Sequence, residues 1–229
     1  MLLMKSDGDD EGGSMPSPGG EGQETIRALA QAAGLDQSWT TFLEAAAAGE
    51  SGFNNLVARG IQNGAPDWAK IVVRQHDADK AKIAYDRNKE KYEDCGWSAA
   101  RYSFGSGGWW QMLPANGVAA FWDTSEECID PWAVFDPGPS LVMMISYAKR
   151  ITRYSKFKSE PTWGNLRVGM RSVSYLGRED ELERQRTGKN KLGDRLEQLG
   201  YSRSFVDQQV TSLPNFDPVQ LLRTLEQYA

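Results

Sequence analysis

The sequence predicts a mainly α-helical protein, and three observations carry that reading. Apolar residues recur at helical spacing in successive segments, helix-starting residues stand just ahead of those segments, and glycines close several of them. The chain has 229 residues and is 40% hydrophobic, enough for one medium domain with an appendage or two small domains. Eight Trp, eight Tyr and eight Phe exceed what a core alone requires and leave some for a sugar-stacking surface.

Taken in order, residues 1–24 are rich in Gly, Ser, Pro, Asp and Glu without periodicity and read as a disordered acidic segment. A helix begins near Glu24, with Ile26, Leu29, Ala30 and Ala33 on one face and Gly34 as its stop. Asp36 or Ser38 caps the next helix, which turns Trp39, Phe42, Leu43 and Ala46 inward and ends at Glu50. Pro66-Asp67-Trp68 has the chemistry of a helix start, and a long, heavily charged helix with a thin apolar stripe is expected from there to Tyr92. His76, the only histidine, falls on that polar helix and reads as a surface residue. Residues 96–117 read as a loop, with Gly105, Gly107 and Gly108 supplying backbone freedom. Helices are expected over residues 118–121, 139–154 and 161–176, and the cluster Lys149, Arg150, Arg153, Lys156 and Lys158 reads as a solvated helix end or a surface for an anionic polymer. After Gly177 the composition becomes charged. Leu192, Leu196 and Leu199, then Phe205, Val206 and Val210, then Leu221, Leu222 and Leu225 after Asp217-Pro218 predict three short helices. The expected organisation is a disordered segment over 1–24, a catalytic domain over 25–177 and a helical C-terminal extension over 178–229.

Chemistry concentrates at three places. Glu50-Ser51-Gly52-Phe53 follows the apolar run Phe42-Leu43-Glu44-Ala45-Ala46-Ala47-Ala48; Gly107-Gly108-Trp109-Trp110-Gln111-Met112-Leu113-Pro114 comes later; Asp136-Pro137 precedes another apolar segment. In this order the three motifs resemble those of the soluble lytic transglycosylase (goose-type-lysozyme-like) family. The resemblance covers about residues 25–176 and implies a lysozyme-like helical fold. The stretch between the first two motifs is longer than in the family, and the family's Tyr-Asn-Ala-Gly motif has no close counterpart. Asn165-Leu166-Arg167-Val168-Gly169-Met170 stands in its place.

The resemblance implies cleavage of the N-acetylmuramic acid–N-acetylglucosamine bond of peptidoglycan, with a 1,6-anhydromuramyl product and no cofactor or metal. Glu50 is the candidate catalytic acid. Such a residue donates a proton near neutral pH when burial raises its pKa, and a position after four alanines and near Phe53 suits that. Glu44 is the competitor, on a different face and without the following Ser-Gly. Ser51, Trp109, Trp110, Gln111 and Met112 are the candidate substrate-binding residues: Ser51 to support the acid or the acetamido group, Gln111 to hydrogen-bond saccharide, and one of the two tryptophans to stack on a ring while the other joins the core. Met112 reads equally as groove or core, and Asp136 as a helix start. One Glu acting first as acid and then as base suffices when the muramyl 6-hydroxyl is the nucleophile, because that group is already held beside the anomeric carbon.

Two alternatives stand beside this reading. A hydrolytic muramidase would recruit a second carboxylate, such as Asp123 or Glu127. A non-catalytic wall-binding or virion structural protein would keep the fold without the chemistry. A net charge of −5 disfavours nucleic acid as the main partner, and no apolar run approaches the ~20 residues of a membrane span. The partners expected are peptidoglycan glycan strands and other virion or injection-system proteins. The first residues lack the apolar core of a secretory signal, so a virion-associated protein, delivered to the bacterial cell wall or periplasm by a phage or an injection system, is expected. Cys95 and Cys128 have no metal-ligand spacing and read as structural thiols, with a disulfide between them open.

Overall fold

Two helices form at the start of the described chain, the first beginning earlier than expected and the second where its cap places it. The structure, a computed structural model, describes residues 20–60, 65–99 and 104–226, so most of the acidic N-terminal segment lies outside the described residues. Helix α1 (Glu21–Ala32) begins inside the segment expected to be disordered and buries Ile26, Leu29 and Ala30. Gly34 follows with φ of 68°, the left-handed conformation that glycine adopts at little cost after a helix. Asp36 caps α2 (Gln37–Glu50), its carboxylate accepting from the Trp39 amide at 2.9 Å. Every residue of α2 from Trp39 to Ala48 is buried, so this helix runs through the interior and re-emerges at Gly49 and Glu50.

The stretch between the first two motifs corrects the expectation of one long helix. It holds strands β1 (Val57–Gly60) and β2 (Lys70–Val73), then α3 (Gln75–Asp86) and α4 (Lys89–Asp94), interrupted at Arg87-Asn88. Ile71, Val72 and Val73 are β-branched, lose rotamer freedom in a helix, and here pair with β1 instead. A third strand, β3 (Gly105–Gly107), comes from the region read as loop. The sheet order is β2-β1-β3, with Ala58 opposite Ile71 in the parallel pair and opposite Gly107 in the antiparallel one. A Cβ on Gly60 would lie 1.4 Å from the Phe104 carbonyl oxygen, so β1 and β3 approach as they do only because that position is glycine. His76 is exposed on α3.

The remaining helices are α5 (Pro114–Phe121), α6 (Pro137–Ile151), α7 (Ser155–Ser159), α8 (Trp163–Arg171), α9 (Glu179–Thr187), α10 (Leu192–Gln198) and α11 (Pro218–Glu226). Proline occupies the first turn of α5 and α6, where its missing N–H costs nothing. Residues 140–146 of α6 are all buried, which makes α6 the second interior helix. A disulfide joins Cys95, just after α4, to Cys128, beyond α5.

The residues from 178 onward, expected as an extension, pack into the same core. Phe205 stacks on Trp163 of α8 at 5.2 Å between ring centroids, and Trp163 meets Trp39 of α2 edge-on at 4.8 Å. A Cβ on Gly164 would strike Leu182 and Val206, and one on Gly138 in α6 would strike Leu225 of α11. Leu192 and Leu196 of α10 are buried, while Val210 falls outside the short 3-10 turn Arg203–Asp207 that forms around Phe205. Among the described residues, no helix is long and apolar enough to cross a membrane.

Candidate functional site

Helix α2 ends in an unusual turn. Its last residue is Glu50, and both Gly52 (φ 60°) and Phe53 (φ 66°) take left-handed backbone conformations that throw the chain sharply away from the helix axis. Ser51 stitches this turn to the second motif: its Oγ donates to the Trp109 carbonyl at 2.8 Å. The Trp109 indole Nε1 returns a bond to the Phe53 carbonyl at 3.1 Å. Glu-Ser-Gly-Phe and Gly-Trp-Trp-Gln are thereby one structural unit, although the residues of the first bond lie 58 positions apart in the chain.

The members of the second motif do structural work that the sequence reading assigned to sugar. Trp109 and Trp110 are 3% and 6% exposed and meet edge-on at 5.6 Å, so neither offers an open ring face for stacking. The Trp110 Nε1 donates to the Leu43 carbonyl inside α2 at 3.0 Å. Gln111, with φ of 47°, spends its amide nitrogen on the carbonyls of Val57 and Gly108, both at 2.8 Å; its Oε1 accepts a long bond from Ser106. Met112 is buried, its sulfur lying where a Cβ on Gly117 would go. All four residues line the cleft in which Glu50 stands; Trp109, Trp110 and Met112 have little surface to give it, and Gln111 is partly exposed.

Glu50 lies in an ionic setting and not the apolar one expected. Its Oε2 accepts from Arg59 Nη1 of β1 at 2.9 Å, its Oε1 accepts from Arg167 Nη2 of α8, and Arg59 also donates to the Glu50 backbone carbonyl. Burial pushes the carboxyl up, but the charges of Arg167 and Arg59, the Arg167 hydrogen bond and the charge of Arg171 outweigh it. The pKa therefore stands below the usual carboxylate range, opposite to the expected direction. Neither arginine was singled out from the sequence. Arg167 carried one signal: it occupies the segment standing in for the family's fourth motif, between buried Leu166 and Val168.

The other acids have different placements. Glu44 is fully buried and is bound by Arg27 and by the Tyr201 hydroxyl at 2.7 Å, which makes it a structural anchor between α1, α2 and the C-terminal segment. Asp123 receives two bonds from Arg150 at 2.8 Å, and Glu127 pairs with Arg223 at 3.2 Å; neither lines the cleft. Asp136 stands at the start of α6, outside the cleft lining, with its carboxyl raised by burial and by Asp130.

The cleft has a volume of about 1750 Å³, well above the roughly 300–1,000 Å³ of small-molecule sites. Its walls come from the end of α2, β1 and β2, the 106–113 segment, α8, and residues 189–198. Among the described residues, nine Lys and Arg line it against the three acids Glu21, Glu50 and Asp77. A cleft of this size and charge in a chain of net charge −5 suits an extended anionic or polar polymer. No cluster of three or more His, Cys, Asp or Glu among the described residues has the arrangement to hold a metal ion.

Comparison with known proteins adds no relative. No family model, curated protein or solved structure matches this chain.

Proposed function

We propose that this chain is a peptidoglycan lytic transglycosylase of lysozyme-like fold, with Glu50 as its sole acid and base. The observation that carries the reading is the position of Glu50. It is the one carboxylate brought by an interior helix to the floor of a polymer-sized cleft, and it is locked through Ser51 and Trp109 to the glycine-aromatic segment beside it. The charges acting on it most strongly are those of Arg167 and Arg59, and the two other acids that line the cleft among the described residues, Glu21 and Asp77, belong to no motif that marks a second catalyst.

In this reading the proton passes from Glu50 to the glycosidic oxygen as the C1–O bond breaks. The muramyl C6 hydroxyl then adds to C1 and returns its proton to Glu50, which closes the anhydro ring and restores the acid. The free protein rests with Glu50 ionised between two guanidiniums, so turnover rises as the pH falls and the acid form becomes populated. Glu50→Gln keeps the volume and removes the transferable proton; loss of wall cleavage by about 10²–10⁴-fold is expected with the circular dichroism unchanged. Mass spectrometry of digested wall should show fragments one water lighter than the hydrolysed ones. Retention of activity by Glu50→Gln removes the acid from the scheme, and exclusively reducing ends convert the reading to a muramidase.

The double ion pair on Glu50 also favours a second reading, a glycan-binding or virion structural protein with a dormant site. Zymography of the unaltered protein across acidic pH separates the two: a binder clears no wall at any pH.

A further inference from the structure

The cations around Glu50 outnumber what its charge requires. Arg59 and Arg167 both pair with Glu50, Arg171 pairs with Glu181 at 3.1 Å, and Lys191 makes no ion pair among the described residues. Lys191 is nevertheless half-buried in the cleft wall, at the start of α10. Burial, then Arg171 and Arg184, push its ammonium below the usual lysine range, while Glu50 pulls the other way. A half-buried cation crowded by other cations is an unfavourable arrangement for an empty cleft and a favourable one for a cleft holding an anion. A second observation lies on the same wall. Gln185 is 1% exposed, also lines the cleft, accepts from the Leu192 amide through Oε1, and has no hydrogen-bond partner for its Nε2. A buried donor without an acceptor beside an unpaired ammonium describes a site short of acceptor oxygens.

We propose that Lys191, with Arg171 and Arg167 beside it, forms a carboxylate-binding subsite flanking Glu50, and that this cleft selects glycan strands bearing an acidic substituent near the bond to be broken. The inference rests on reading the cleft as a glycan site. The carboxylate approaches Lys191 and completes its charge balance, so the anionic ring is held on the wall formed by residues 189–198. The opposite wall, at β1 and β2, contributes Arg59 to the acid itself.

The test compares two peptide-free muramyl glycan strands of equal length, one with free lactyl carboxylates and one with the same groups capped as methylamides. Titration calorimetry in the Glu50→Gln background prevents turnover. The acid strand should bind about tenfold more tightly than the amide strand, as expected for one partly desolvated ion pair. Lys191→Met should abolish that preference without weakening the amide strand, and Lys191→Arg should restore most of it. Equal binding of the two strands, a preference that survives Lys191→Met, or no binding of either overturns the subsite. A poly(glycerol phosphate) chain that binds as tightly as the acid strand and depends equally on Lys191 reassigns the site to phosphate and overturns the carboxylate selection. Cleavage by the unaltered protein is read separately. A Lys191-dependent preference without cleavage fails the transglycosylase reading and leaves the subsite standing.

Discussion

Replacing Arg167 with Met tests the electrostatics of the site most directly. Arg167 reaches Glu50 from α8, and its side chain is only 11% exposed against 19% for Glu50, so the pair is largely withdrawn from water. The methionine fills much of the volume and removes the charge. A hydrogen bond to a charged group contributes about 1.5–3 kcal/mol. Glu50 retains Arg59, and removing one of several clustered cations relieves repulsion with Arg171 and Lys191, so a loss of about 1–2 kcal/mol at pH 7 is expected. The effect depends on pH in a defined sense. Glu50's pKa is lower in the folded state than its usual 4.5, so its contribution to stability is present above that value. It is lost as the pH falls through the folded-state pKa. Arg167→Met should therefore destabilise near neutral pH and cost less at acid pH. Urea denaturation at several pH values measures this. On the transglycosylase proposal the rate of wall clearing should change as well: with the carboxyl less strongly held ionised, the falling limb of the pH–activity profile moves to higher pH. A variant whose profile stays in place, or whose loss of stability is the same at acid and neutral pH, would show that Arg167 does not set the protonation of Glu50.

Two further predictions concern the scaffold. Gln111→Ala deletes the amide bonds to Val57 and Gly108 and should cost about 2 kcal/mol, at roughly 1 kcal/mol per bond, with a greater effect on thermal stability than on affinity for glycan; scanning calorimetry beside a binding isotherm distinguishes the two. Replacing both Cys95 and Cys128 with Ser opens a loop of sequence separation 33 and should lower stability by about 3–4 kcal/mol on chain-entropy grounds, read as a drop in the urea midpoint that reducing agent reproduces in the unaltered protein.

The parts of the fold that were legible in the sequence are those decided by short-range pattern. The end of α1 and both ends of α2 follow from apolar spacing, Gly34 and the Asp36 cap, and Glu50 falls at the helix end where the Ala-rich run stops, whereas α1 starts earlier than its apolar spacing suggests. What failed to read was non-local. Lys70–Val73 becomes a strand because β1 offers it a partner; its β-branched run permits a strand but does not name that partner. The two tryptophans stand in the cleft wall with both rings buried, where the sequence offered one to the groove, since the carbonyls that claim their indole nitrogens belong to residues 56 and 67 positions away. The pairing of Arg167 with Glu50 spans 117 positions, beyond any motif spacing, and it reversed the expected direction of the acid's pKa. Burial alone was a sound argument for a raised pKa; it lost to two guanidiniums that only the folded chain assembles.

The reciprocal bonds between Ser51, Phe53 and Trp109 have a consequence for engineering. A recipient scaffold given only the Glu-Ser-Gly-Phe turn would receive a left-handed Phe53 without the indole that holds it and a carboxylate without the two arginines that bind it. The portable cassette is the turn together with the 107–112 segment and the two arginines, and a library that randomises Trp109 loosens the turn from which Glu50 projects.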